Sequence, residues 1–131
     1  MQNKANRTFE RTLTYDLYTD PKVYEQEMKD VFAKSWQVVG HVSQLEKPGQ
    51  FFTTDVAGEP IIVTRGMDEI IRAFYNVCPH RATKLEKNEA GQKKILQCGY
   101  HGWTFHLNGT LNKAPNFTGE DAHCVGDRCL R

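Results

Sequence analysis

The chain alternates between polar stretches and short apolar runs, and its first apolar pattern has helical spacing. Asp20-Pro21 offers an N-cap followed by proline at the first helical position. Apolar side chains then recur on one face, as in an amphipathic helix that packs on a domain. We therefore expect an arm over residues 1–18 and a helical segment over residues 19–35, with the helix itself running from 21 to 35.

From Trp36 onward, short runs rich in β-branched and aromatic residues are separated by turn residues, which is typical of an antiparallel β-sandwich or barrel. Asn108-Gly109 predicts a two-residue hairpin turn between the last two strands. We expect a mostly β domain over residues 36–115, and a polar tail over residues 116–131 that looks cut short. The predicted strands are 36–42, 50–56, 60–65, 70–77, 94–98, 103–107 and 110–113.

Length and charge exclude several classes of function. A chain of 131 residues with 17 basic and 16 acidic side chains can bury one core, and it lacks the basic surplus of a nucleic-acid-binding protein. Its apolar runs are too short to cross a bilayer, and its polar start has no signal core. We expect a cytoplasmic protein without nucleic-acid or membrane partners. In that reducing compartment, clustered cysteine and histidine indicate a metal centre.

Two short segments each combine one cysteine with one histidine. Residues 78–81 read Cys-Pro-His-Arg, and residues 98–103 read Cys-Gly-Tyr-His-Gly-Trp, with seventeen residues between His80 and Cys98. Two tight loops from adjacent hairpins can clamp an inorganic core from opposite sides, and glycines in the second loop let backbone amides approach its sulfurs. The predicted ligands are Cys78, His80, Cys98 and His101.

This pattern of Cys-x-His followed by Cys-x-x-His-Gly-Trp resembles the Rieske motif, specifically that of the large (alpha) subunits of Rieske non-haem iron oxygenases. The similarity extends to residues 18–21, 32–41 and 100–105, so it covers most of residues 15–115. It implies a Rieske-type antiparallel β-sandwich or barrel, with a two-loop subdomain that binds a 2Fe-2S cluster. By the same resemblance, Cys78 and Cys98 would bind one iron, and His80 and His101 the other.

Charge counting gives the consequence of mixed ligation. Two ferric ions, two sulfides and two thiolates sum to zero, whereas a four-cysteine cluster in the same oxidation state carries two negative charges. A neutral cluster accepts an electron more easily, and Rieske potentials accordingly lie at roughly −150 to +300 mV. The outer nitrogen of each imidazole can face solvent or a partner. We therefore expect His80 and His101 to form the port through which single electrons pass.

In the family that the chain resembles, substrate is oxidised at a separate mononuclear Fe(II), held by two histidines and a carboxylate in a C-terminal catalytic domain. Glu120 and His123 begin the spacing of such a site, but Arg128 stands where its second histidine would be expected. We therefore expect that iron only in a catalytic domain that this chain lacks. The expected partners are an NAD(P)H-dependent reductase or a ferredoxin, and further copies of the full-length protein.

Two other functions remain open. A self-standing Rieske-type ferredoxin fits the size of the chain, although residues 15–36 exceed what a small carrier needs. A structural zinc module uses the same ligand types, but zinc-finger histidines usually come as a pair near one helix.

The remaining candidate residues have weaker signals. Trp103 is either a shield for the cluster, as the resemblance implies, or a core tryptophan. Arg81 follows a predicted ligand and could counter local negative charge or contact a partner. The alternative is a solvated surface arginine. We expect structural or surface roles for His41 and His106. Cys124 and Cys129 are not at ligand spacing from either loop, and we expect them to be loop thiols without a role.

Overall fold

The computed structural model describes residues 12–115 and 128–131. Contacts between residues group the chain into two units, 1–35 and 36–131. The first unit contains helices α1 (Asp16–Thr19) and α2 (Pro21–Asp30), followed by a 3₁₀ helix (Phe32–Lys34). None of the helices within the described residues is long and apolar enough to cross a membrane.

The start of α2 confirms the predicted N-cap, but its end does not match the prediction. The Asp20 carboxylate accepts a hydrogen bond from the Lys22 amide at 2.9 Å, and Pro21 takes the first helical position. The predicted helix to residue 35 is wrong, because α2 ends at Asp30 and the next turn tightens into the 3₁₀ helix. No residue of α2 is buried, and the packing predicted for its apolar stripe stays a prediction.

The described part of the second unit forms two antiparallel sheets, which confirms the mostly β prediction. The first sheet has the strand order β3-β2-β1-β4, and the second has the order β5-β6-β7. No ladder joins the two sheets in the described residues, so they form two sandwich-like layers and not a closed barrel. The strands are β1 (Gln50–Val56), β2 (Glu59–Arg65), β3 (Ile71–Tyr75), β4 (Ala90–Gln92), β5 (Ile95–Gln97), β6 (Thr104–His106) and β7 (Leu111–Lys113).

One strand prediction was wrong, and one strand was missed. Residues 36–42 form no strand, and a 3₁₀ helix (Val42–Leu45) follows instead, capped by the His41 side chain. The short strand β4 was not predicted, because Ala-Gly-Gln has little β propensity. It forms on the edge of β1, where Gly91 lies opposite Phe51. A β-carbon at Gly91 would lie 3.0 Å from the Phe51 ring, so a larger residue there would require the ring to shift.

The β6–β7 hairpin is confirmed, with a turn one residue longer than predicted. The His106 amide donates to the Thr110 carbonyl and the Gly109 amide to the His106 carbonyl, both at 2.9 Å. Residues 107–109 therefore form a three-residue connection. Gly109 takes a φ of +89°, which matches a hairpin that ends in a left-handed residue.

Both sheets contribute to one main core, which also contains the two candidate cysteines. Phe51 and Ile62 from the first sheet meet Phe105 from the second. The buried Thr64 hydroxyl donates to the Leu107 carbonyl at 2.9 Å and so links the sheets. The cluster of buried residues comprises Phe51, Ile62, Cys78, Leu85, Leu96, Cys98, Trp103, Phe105, Leu107 and Leu130. The candidate site is thus built on the best-packed part of the chain.

Candidate metal centre

The first candidate loop is closed by hydrogen bonds between its own backbone groups. The Cys78 amide donates to the Thr83 carbonyl at 2.8 Å, and the Ala82 amide donates to the Cys78 carbonyl at 2.8 Å. Ala82 takes a φ of +52°, in the left-handed region that costs an L-residue energy. An isolated bridge between Val77 and Lys84 holds the base of the loop.

The second loop repeats this pattern at the same positions. The Cys98 amide donates to the Trp103 carbonyl at 2.7 Å, and the Gly102 amide donates to the Cys98 carbonyl at 3.0 Å. Gly102, like Ala82, follows its cysteine by four residues and is left-handed, with a φ of +72°. The two loops are therefore equivalent in backbone structure, although their histidines follow the cysteines by two and three residues.

The two thiols lie together in the core. Cys78 is 1% exposed and Cys98 is 2% exposed, and both are free. Burial raises the pKa of the Cys78 thiol, and the neighbouring Cys98 adds to this; backbone hydrogen bonds from the amides of His80 and Arg81 oppose it without cancelling it. A metal ion would displace the thiol proton, and those amides would then donate to a coordinated sulfur.

The two imidazoles also converge. The ring centroids of His80 and His101 lie 4.5 Å apart, with an interplanar angle of 64°. The Nδ1 atoms of both rings are buried, and among the described residues Nδ1 of His101 has no hydrogen-bond partner. A buried ring nitrogen without a donor or acceptor is costly unless something binds it. A metal ion would satisfy it.

Aromatic rings enclose the histidine side of the site. Trp103 is fully buried and stacks on His80, with ring centroids 4.8 Å apart and an interplanar angle of 3°. Tyr100 is 59% exposed and lies against His101, with centroids 3.8 Å apart. Trp103 therefore belongs to the core and contacts a candidate ligand at the same time.

Positive charge also lies on this side. Arg81 follows His80 in the chain, and the guanidinium carbon of Arg128 lies 6.0 Å from the Trp103 ring centroid. Burial first, and then repulsion by His101, Arg81 and Arg128, lowers the pKa of the His80 imidazole. These surroundings favour the neutral imidazole, which is the form that binds a metal.

The residues present fit a 2Fe-2S cluster. They supply two buried thiols, two buried ring nitrogens and amide donors near one sulfur. Within residues 12–115 and 128–131, no three His, Cys, Asp or Glu side chains converge closely enough to hold one metal ion. Each iron of a 2Fe-2S cluster binds only two protein ligands, so two cysteines and two histidines are compatible with such a cluster without any three ligands sharing one metal ion.

Three other candidates from the sequence, His41, His106 and Cys129, lie within the described residues. His41 caps the 3₁₀ helix at Val42–Leu45 by accepting from the Ser43 amide, and His106 is exposed on β6. Cys129 is a free, half-buried thiol. Glu120, His123 and Cys124 lie outside the described residues.

Sequence reasoning missed two contributors to the site. Tyr100 was read only as part of a motif, and Arg128 only as the residue in place of an expected histidine. The equal spacing of Cys78–Ala82 and Cys98–Gly102 is visible in the sequence. It would not have revealed the left-handed Ala82, because alanine rarely adopts that conformation.

Comparison with known proteins identifies the family of the chain. The model of the Rieske [2Fe-2S] domain family matches residues 35–126. The carnitine monooxygenase oxygenase subunit of Acinetobacter baumannii is 44% identical over 112 residues, covering 86% of this chain and 30% of that protein. Benzene 1,2-dioxygenase subunit alpha of Pseudomonas putida is 38% identical over 109 residues, covering 83% of this chain and 24% of that protein.

Solved structures give the same family. Two structures of quaternary ammonium Rieske monooxygenases align with TM-scores of 0.81 and 0.76, at 40% and 39% identity. Each alignment covers 88% of this chain and 32% of the other. One of these structures gives insights into carnitine oxidation and inter-subunit electron transfer. The chain thus spans between 24% and 32% of the length of these relatives.

Proposed function

This chain belongs to the Rieske [2Fe-2S] domain family, and from that premise we propose that it is the electron-transfer module of a Rieske oxygenase, with its cluster bound by Cys78, His80, Cys98 and His101. The cluster, when bound, takes up and gives up one electron at a time. The observation that carries the ligand assignment is the pair of equivalent loops, each of which directs one buried sulfur and one buried ring nitrogen inward.

We assign the protein groups distinct tasks. Cys78 and Cys98 would hold one iron inside the core, where the amides of His80 and Arg81 donate toward the Cys78 sulfur. His80 and His101 would hold the other iron through Nδ1, since those atoms are buried. Trp103 excludes water from the face of His80. The histidine side is the proposed route for electrons, because the half-buried rings and the exposed Tyr100 bring it near the surface.

An oxygenase is favoured over a self-standing Rieske-type ferredoxin because the matched relatives are oxygenase subunits. We propose that an NAD(P)H-dependent reductase or a ferredoxin supplies the electrons, and that a mononuclear iron in a catalytic domain receives them. Inter-subunit electron transfer in a related monooxygenase supports the further proposal that the full-length protein is a homo-oligomer.

Metal and sulfide analysis tests the ligand assignment. We expect about two iron and two acid-labile sulfide per chain in anaerobically prepared protein, with the visible absorption of a Rieske cluster. Cys78→Ser and Cys98→Ser should each lose the cluster. Cys129→Ser is the matched control, since it removes a third free thiol that we do not assign to the cluster, and it should retain full iron content.

A different metal would contradict the proposal. One zinc ion per chain in a colourless protein would support the structural zinc module instead. Loss of iron in Cys129→Ser, with retention in Cys78→Ser, would refute the ligand assignment.

The relay itself is tested by electron transfer. The reduced protein should deliver about one electron per chain to an added one-electron oxidant, because one cluster cycles between two states. A protein that binds the cluster but exchanges no electrons with any oxidant would retain the ligand assignment and refute the relay.

A further inference from the structure

Arg128 lies far in the chain from both loops, yet it reaches the histidine side of the site. Its guanidinium carbon is 6.0 Å from the centroid of the Trp103 ring, which is the distance of a cation–π contact. Trp103 in turn stacks on His80, with ring centroids 4.8 Å apart and nearly parallel planes. The indole ring thus contacts both the arginine and a proposed iron ligand.

We propose that Arg128 is an electrostatic tuning residue, whose positive charge, held against Trp103, raises the reduction potential of the cluster on its His80 side. This inference rests on the proposed function, since it assumes that His80 binds an iron of the cluster. It assigns a role to a residue outside both ligand loops.

The sign follows from the charge balance of reduction. Two ferric ions, two sulfides and two thiolates sum to zero, and one added electron gives a charge of minus one. A fixed positive charge nearby stabilises the reduced form more than the neutral oxidised form. Removing that charge therefore makes reduction harder and moves the midpoint potential to more negative values.

The burial of Trp103 makes the interaction effective although Arg128 itself is exposed. Trp103 has no exposed surface, so the indole ring and not water fills the contact with His80. Interactions through protein interior are screened less than those through solvent.

A redox titration of the cluster-loaded chain tests the inference. The midpoint potential is measured with mediators by visible absorption, for the wild type and for Arg128→Gln and Arg128→Lys. Lys94→Gln is the control, because it removes one exposed positive charge between β4 and β5. Only bound cluster contributes to the signal, so partial cluster loss in a variant does not alter its midpoint.

We expect a more negative midpoint in Arg128→Gln, a midpoint close to wild type in Arg128→Lys, and no shift in Lys94→Gln. An unchanged midpoint in Arg128→Gln overturns the inference. Equal shifts in the Gln and Lys variants also overturn it, since packing and not charge would then be responsible. If the wild type carries no Rieske cluster, the proposed function fails; a normal wild-type cluster with an unshifted Arg128→Gln variant defeats this inference alone.

Discussion

Gly102→Ala tests whether the second loop needs glycine for its left-handed backbone or for lack of space around a side chain. Gly102 has a φ of +72°, and its amide closes the loop on the Cys98 carbonyl. A β-carbon there would meet Pro115 Cγ at 3.6 Å and Gln97 Nε2 at 4.0 Å, which are ordinary contacts. The variant therefore fits sterically, and its penalty comes from the left-handed backbone.

The size of the effect follows from two opposing contributions. The left-handed conformation costs an L-residue about 1–2 kcal/mol. Alanine also reduces the conformational entropy of the unfolded chain, which stabilises the folded state by about 0.4–1 kcal/mol. We expect a net destabilisation of about 1 kcal/mol, equivalent to a fall in melting temperature of roughly 2–8 °C over the domain sizes that bracket this chain.

Gly58→Ala is the matched control. Gly58 has a φ of +83° in the β1–β2 turn, and a β-carbon there would meet nothing within 4 Å. Both variants should lose similar stability in thermal unfolding at one scan rate. Only Gly102→Ala should also release iron faster to a chelator, because the strained residue adjoins His101. Wild-type stability in Gly102→Ala, or equally fast iron release from both variants, would refute this reasoning.

Two further predictions concern the scaffold. Gly109→Ala should destabilise the protein more than Gly58→Ala in the same unfolding assay, because a β-carbon would come within 2.5 Å of the Phe74 ring in addition to the strain of a φ of +89°; equal losses would contradict this. Burial alone would raise the pKa of Glu86, but hydrogen bonds from Lys93 and backbone amides outweigh it and hold that pKa below its ordinary value of 4.5. The ionised carboxylate therefore stabilises the folded protein above pH 4.5, and this stabilisation is lost as the pH falls through the lower pKa of the folded state. Glu86→Gln should accordingly flatten the acid side of a plot of unfolding free energy against pH. An unchanged slope in the variant would contradict this.

The sequence predicted the strands whose side chains alternate between two environments. Phe51 packs into the main core and Phe52 into a second cluster with Leu45 and Val63, so apolar residues recur along β1 in a recognisable way. β4 was not predicted because its side chains form no recognisable pattern. It pairs with β1 where a small residue, Gly91, lies opposite Phe51. Tertiary contact, and not local propensity, decides such edge strands.

The candidate ligands were visible in the sequence because cysteine and histidine at short spacing are chemically distinctive. The surroundings of the ligands were not visible. The stacking of Trp103 on His80 and the approach of Arg128 to that indole depend on how distant segments meet. The left-handed conformation of Ala82 likewise accompanies the closure of its loop, and an alanine in the sequence does not indicate that conformation.

Electron paramagnetic resonance of the dithionite-reduced protein tests the central claim most directly. We expect a Rieske-type signal with a low average g, which is absent in Cys78→Ser and in His101→Ala and unchanged in His106→Ala, whose histidine is exposed on β6. A signal typical of four-cysteine clusters, or a Rieske signal that persists in His101→Ala, would contradict the account.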